Sequence, residues 1–290
     1  MNKKNIEFDN SGYGPVLEAI ENELSPYIKY CENAYRIFIE NFSKKSYLLK
    51  NKNNKIFNYL LSNSKNMSFS IRLLSTWGQP IEAYALLRIR LEQLIISSYL
   101  LHADVNEGIE AFKKYEPILE YDLLKANNKN DNLKLALSSL FPNVNLDYEK
   151  RMNDLKKIIE SSYEIKDGKI KRKWTNLQIN QLAEERDKLI DPNDKISSIK
   201  LLDLYNTIYK ISSSIVHSDV ASISSNFINI TDDKLIIPQY TYMFTNIIML
   251  AQLDIIHCHE ISTKFKMNIQ EKYLNLFEKY VGQVKRDFEL

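Results

Sequence analysis

The sequence predicts an all-α protein: a single multi-helix bundle with one small β-hairpin inserted near residues 225–238. Three observations carry this reading. The 290 residues include only 6 Gly and 7 Pro, too few turn formers for a many-stranded β architecture. Long stretches repeat apolar positions with a helical period, as Leu86, Leu87, Leu91, Leu94 and Ile95 do in IEAYALLRIRLEQLIISSYLLH. The segment SSNFINITDDKLIIPQY breaks that texture, with Asp232-Asp233 standing between two β-rich runs.

Taken in order, residues 1–14 read as a flexible arm in which Gly12 and Gly14 oppose an early helix, and 15–290 as one helical domain. Ser25-Pro26 reads as an N-cap and first-turn proline opening a helix through YIKYCENAYRIFIENF. After the polar KNKNNK, a second helix runs to Gly78, and Gln79-Pro80 opens a third that ends near His102. Pro117 interrupts a helix over about 106–125. LKLALSSLF and LDYEKRMNDLKKIIESSY are shorter amphipathic helices separated by Pro142. KDGKIKRKW is a small hairpin or a basic loop around Asp167-Gly168. Helices follow in TNLQINQLAEERDKL and ISSIKLLDLYNTIYKISSSIVH, and two more close the chain at roughly 240–265 and 268–286.

Composition narrows the function classes. Hydrophobic residues at 44% and charged residues at 26% are ordinary for a soluble globular chain. With 39 basic and 37 acidic side chains, net charge is +2; only a local basic patch would recruit nucleic acid. Cys31 and Cys258 are too few and too far apart for a disulfide framework. MNKKNIEFDN has no apolar stretch after its lysines, so no signal peptide is expected. Asp254 breaks YTYMFTNIIMLAQLDIIHCHE, which reads as a core helix and not a membrane span. A cytoplasmic protein with no membrane partner follows as the expectation.

The chemistry-bearing residues lie on two helices. Tyr205, Tyr209, Ser213 and His217 recur every four positions in YNTIYKISSSIVHSD, which lays two rings, a hydroxyl and an imidazole along one helical stripe. That line could fix the imidazole tautomer for acid–base work, whereas a plain alternative is a histidine at a helix C-terminus answering the dipole. Tyr84, Arg88 and Glu92 repeat the spacing on the third helix. Arg88 and Glu92 form either an exposed ion pair or part of a ligand site. Lys171, Arg172 and Trp174 in KIKRKW could contact nucleic acid or be a solvated loop. HCHE at 257–260 puts His257 and Glu260 on a face with Asp254, but only one approximate di-iron unit is present, so no metal is expected. Phosphate-loop, dinucleotide and nucleophile-elbow motifs are absent, and no cofactor is expected.

WTNLQINQLA, then YNTIYKISSSIVHSD, then a segment ending in Pro238, together with EAYALLRIRLEQLIISSYL and its Arg88 and Glu92, resemble an uncharacterised bacterial family known only as a domain of unknown function. The resemblance spans about 60–265. The arrangement is also distantly similar to HEPN ribonucleases, helical proteins of bacterial toxin and antiviral systems that cleave RNA without a metal across a dimer interface. This chain departs from their pattern: no Arg precedes His217 by four to six residues, and Lys210 stands seven before it. The likeness implies a metal-independent ribonuclease or toxin-type effector of a defence system, acting on RNA as a homodimer or with a partner protein. His217 would be the acid–base group and Arg88 the stabilising cation. Glu92, Ser213 and Tyr209 would assist, with Tyr205, Tyr84, Trp174, Lys171 and Arg172 holding substrate. The alternative is a non-catalytic binding or sensor module in which the same residues form a structural polar network.

Overall fold

The structure, a computed structural model, describes residues 14–42, 52–77, 79–103, 148–162, 165–166, 169–170, 175–216 and 236–289, with part of 109–125. Backbone packing divides the chain into two compact units, residues 1–103 with 179–290, and residues 104–178.

The larger unit is all-α. Its helices are α1 (Gly14–Phe42), α2 (Lys52–Thr76), α3 (Pro80–His102), α5 (Ile179–Leu189), α6 (Leu201–Val216), α7 (Ile236–Lys264) and α8 (Gln270–Phe288). In α1, Leu24, Tyr27, Cys31, Ala34, Tyr35 and Phe38 recur at three- and four-residue steps and are all buried, the stripe a core-facing helix needs. Pro26 lies inside α1 instead of opening it. The helix begins at Gly14, so Gly14 does not hold helix off and the Ser25-Pro26 pair does not open it; tertiary context overrides local propensity. Pro80, by contrast, sits in the first turn of α3, where its missing N–H costs nothing.

Helix α7 is the axis of this unit. From Leu253 to Ser262 every residue is buried, as expected of a helix enclosed on all sides. It packs against α1, α2, α3 and α8. Cross-links show that α3 and α7 run side by side in the same direction: Asn246 Nδ2 donates to the Pro80 carbonyl at 2.8 Å, and Lys264 Nζ to the Leu101 carbonyl at 2.9 Å. α7 ends in a left-handed Lys266 (φ 49°), with Met267 N–H on Ser262 O and Lys266 N–H on Thr263 O, both 3.0 Å. These bonds satisfy the last carbonyls as a Schellman motif does, here without glycine. No helix among the described residues is long and apolar enough to cross a membrane.

In the smaller unit, α4 (Tyr148–Ser162) buries Leu155 and Ile159, and Arg151 grips Glu120 through two bonds of 2.8 and 2.7 Å. A two-residue antiparallel ladder pairs Ile165 with Ile170 and Lys166 with Lys169, at the place where Asp167-Gly168 favours a turn. The hairpin expected near 225–238 is not seen. Ile236–Pro238 open α7 as helix, and 225–235 lie outside the described residues, as does the expected arm over 1–14 apart from Gly14, which begins α1. The β-branched Ile236 and Ile237 are the first residues of this long helix, so their local strand preference does not decide the backbone here.

Candidate functional site

Helices α3 and α6 pack together and bring four of the expected residues into one cluster. Arg88 Nε donates to Glu92 Oε1 at 3.1 Å, one helical turn along α3. Its Nη2 donates to the Tyr209 hydroxyl at 3.0 Å, and the guanidinium lies 4.0 Å from the Tyr209 ring centroid, a cation over a π-face. Tyr205 stacks on Tyr209 with centroids 4.5 Å apart and planes 21° from parallel. The Arg88 and Glu92 side chains retain 22% and 29% of their exposure, so the cluster is oriented yet still meets solvent. Burial, the neighbouring Tyr209 phenol and the Glu92 carboxylate push the Tyr205 hydroxyl up to about 12, Arg88 opposing. The Tyr205 ring is thus presented as a neutral surface beside one held cation.

The other expected residues lie elsewhere. Tyr84 is buried and meets Tyr242 of α7 edge-on at 5.8 Å, so it is not brought to the α3–α6 face. Ser213 belongs to α6, but its side chain is outside the described residues, as are His217, Lys171, Arg172 and Trp174.

The most densely bonded polar groups are ones that spacing alone did not mark. Arg90, two residues beyond Arg88 and so on the opposite side of α3, is wholly buried. Its Nε and Nη2 donate to Asp254 Oδ1 at 3.1 and 2.9 Å, and Tyr35 and Ser68 donate to the same oxygen, each at 2.8 Å. Arg90 Nη2 also meets His257 Nδ1 at 3.1 Å, and His257 Nε2 meets Ser97 Oγ at 2.9 Å. An arginine only donates, so His257 Nδ1 accepts and Nε2 carries the proton. Burial, then the Arg90 charge, hold this imidazole well below its usual range; it is a neutral structural link. Burial raises the Asp254 carboxyl, with Arg90, Ser68 and Tyr35 pulling against it.

A second buried arginine anchors α7 further along, at Glu260. Arg186 of α5 donates through Nε to Ser98 Oγ at 2.7 Å and through Nη1 to Asp187 Oδ1 and Ile199 O, each at 2.9 Å. Its Nη2 donates to Glu260 Oε1. Asp187 in turn accepts the backbone N–H groups of Leu201 and Leu202 at 3.0 and 3.1 Å, capping α6 from another helix. His259 Nε2 donates to Asp194 at 2.9 Å, and Asp194 Oδ1 accepts the N–H groups of Ile196 and Ser197, each at 3.0 Å.

The metal-like HCHE segment is therefore divided among arginine and aspartate partners. No group of three or more His, Cys, Asp or Glu side chains among the described residues is arranged to hold a metal. A signal for this was present. Asp254, His257 and Glu260 in so apolar a helix demand buried partners, and RIR offers a second arginine facing away from the first. Cys31 and Cys258 are buried, and burial pushes both thiols well up, leaving them unreactive.

The model of a family of unknown function, DUF5677, matches residues 54–235, more than half of the chain. The chain belongs to that family. The match agrees with the expected resemblance over about 60–265 to an uncharacterised helical family. Within DUF5677 the matched span carries Arg88, Arg90, Glu92, Arg186, Tyr205, Tyr209, Ser213 and His217, whereas Asp254 and Glu260 lie beyond its end. No curated protein and no solved structure matches the chain.

Proposed function

We propose that this DUF5677 member is an RNA-directed, metal-independent ribonuclease of the HEPN-like kind, serving as a toxin-type effector in bacterial defence, with its site on the α3–α6 face. The observation that carries the reading is Arg88: a half-buried guanidinium held by Glu92 and Tyr209, on the helix pair whose second member leads directly into His217. A cation already oriented before substrate arrives stabilises developing charge at little reorganisation cost.

In this account His217 takes the proton of a ribose 2′-hydroxyl while its oxygen forms a bond to phosphorus. The bond from phosphorus to the 5′-oxygen breaks, His217 gives up its proton to that leaving oxygen, and a cyclic phosphate and a 5′-hydroxyl result. Arg88 stabilises the negative phosphorane-like transition state. Tyr209 and Glu92 position Arg88, and Ser213 orients His217. A homodimer, or a complex with a partner protein, in the cytoplasm fits this role.

A second reading is favoured by one feature: Glu92 already balances the Arg88 charge at 3.1 Å, as a static helix clamp would. The chain would then be a non-catalytic binding or sensor module. Inducing the chain in a bacterial host beside His217→Ala at matched soluble level separates the two. The ribonuclease reading expects growth arrest and fragmented RNA with the wild type and neither with the variant, with equal melting temperatures for both proteins. Fragmentation that persists in the variant, or a variant that loses activity only because it melts early, defeats it.

A further inference from the structure

Arg88, Tyr209 and Tyr205 form a layered stack. Arg88 lies 4.0 Å from the Tyr209 centroid and the Tyr205 centroid lies 4.5 Å from it. Both contacts are made to one ring, so Tyr205 keeps a face turned away from Tyr209. Its side chain is half-buried, and among the described residues no further ring or cation is stacked on it. Burial pushes its hydroxyl up to about 12, so the ring carries no charge to repel an anionic strand. A held cation and a half-buried ring, both packed on Tyr209, suit a ligand that is itself a flat π-system joined to a phosphate. Every nucleobase has such a face, and aromatic side chains on which bases stack are the usual platform for single strands.

We propose that the outer face of Tyr205 is a stacking subsite for a nucleobase of single-stranded RNA, resting on the ribonuclease reading of the same face. The subsite is tolerant of base identity, because stacking uses the face of the base and not its edge. It adds a base to the Tyr205–Tyr209 stack, in the same cluster as the Arg88 cation.

The test uses the full chain carrying His217→Ala, so that RNA is bound without being cut. A fluorescently labelled single-stranded RNA of about twelve nucleotides is titrated beside the same backbone made abasic at successive positions. Tyr205→Leu is expected to weaken binding of the intact strand by roughly tenfold and to leave the fully abasic strand unchanged. Tyr205→Phe, which keeps the ring, is expected to bind as the parent does. Melting curves check that Tyr205→Leu is folded. Equal binding of the intact strand by Tyr205→Leu and its parent overturns the subsite, as does equal weakening for intact and abasic strands, or no binding of RNA by the parent. Cleavage assays on the chain with His217 restored keep the two ideas apart. Cleavage that depends on His217 but not on Tyr205 removes the subsite and leaves the ribonuclease reading. Binding that depends on Tyr205 without any cleavage does the reverse.

Discussion

Arg90 and Asp254 face each other at 2.9 Å with neither side chain exposed, joining the third helix to the central one through a buried, hydrogen-bonded ion pair in an apolar bundle. Such a pair contributes modestly while intact, because desolvation offsets attraction, but removing one member strands the other. Arg90→Ala and Asp254→Ala should each destabilise the protein by about 3–5 kcal/mol. Urea unfolding of each single variant checks this, and the Arg90→Met, Asp254→Leu double variant should recover much of the loss.

Arg88 makes the opposite prediction. Its pair with Glu92 is partly exposed, and pairs of that kind contribute about 0.3–0.5 kcal/mol. Arg88→Ala should therefore lower stability by no more than about 1–2 kcal/mol while abolishing RNA cleavage. Thermal melts and a cleavage assay on the same preparation show whether the two effects separate.

Tyr209→Phe removes the hydroxyl that Arg88 bonds at 3.0 Å and leaves the stacked ring. A cost of about 1 kcal/mol in stability is expected. A loss in cleavage rate larger than the loss in RNA affinity is expected too, because Arg88 becomes less well oriented without leaving the site. Rates and affinities measured on one RNA decide it.

Asp194 gives an acid-side signature. Burial favours its protonated form, but the His259 bond and charge and the Ser197 donors outweigh burial and hold its carboxyl below the usual carboxylate range. The stability it contributes is present above its unfolded value of about 4 and is lost as pH falls through the lower folded value. Asp194→Asn should cost about 1–3 kcal/mol at neutral pH, and the gap from wild type should close in strong acid.

His257 acts nearer neutrality. Folding keeps it neutral, so below about pH 6.5 the unfolded chain binds a proton that the folded chain does not. Stability should rise with pH between about 5.5 and 7. His102, also lowered by burial, adds to the same slope. His257→Asn, which keeps a donor and an acceptor, should flatten it in denaturant titrations run across that range.

Much of this was legible before the structure. Proline placed the start of α3, four-residue steps paired Arg88 with Glu92 and aligned Tyr205 with Tyr209, and scarce glycine excluded a β architecture. Ser25-Pro26 misled, because the apolar stripe around it carries α1 through the proline. The HCHE segment looked like a metal site because spacing shows which residues share a face and not what faces them. Only the fold sets Arg90 against Asp254 and Arg186 against Glu260. The meeting of Arg88 with Tyr209, 121 residues apart, was likewise invisible to local periodicity; the common spacing on two helices merely permitted it.

Cleavage of RNA without a metal is the activity proposed for the α3–α6 face. The most direct measurement is incubation of the purified chain with end-labelled single-stranded RNA in excess chelator, beside Arg88→Ala and His217→Ala proteins of unchanged melting temperature. Cleavage by the wild type yielding cyclic-phosphate ends, and none by either variant, is the expected result. Intact RNA with the wild type, or the same products from all three proteins, would contradict it.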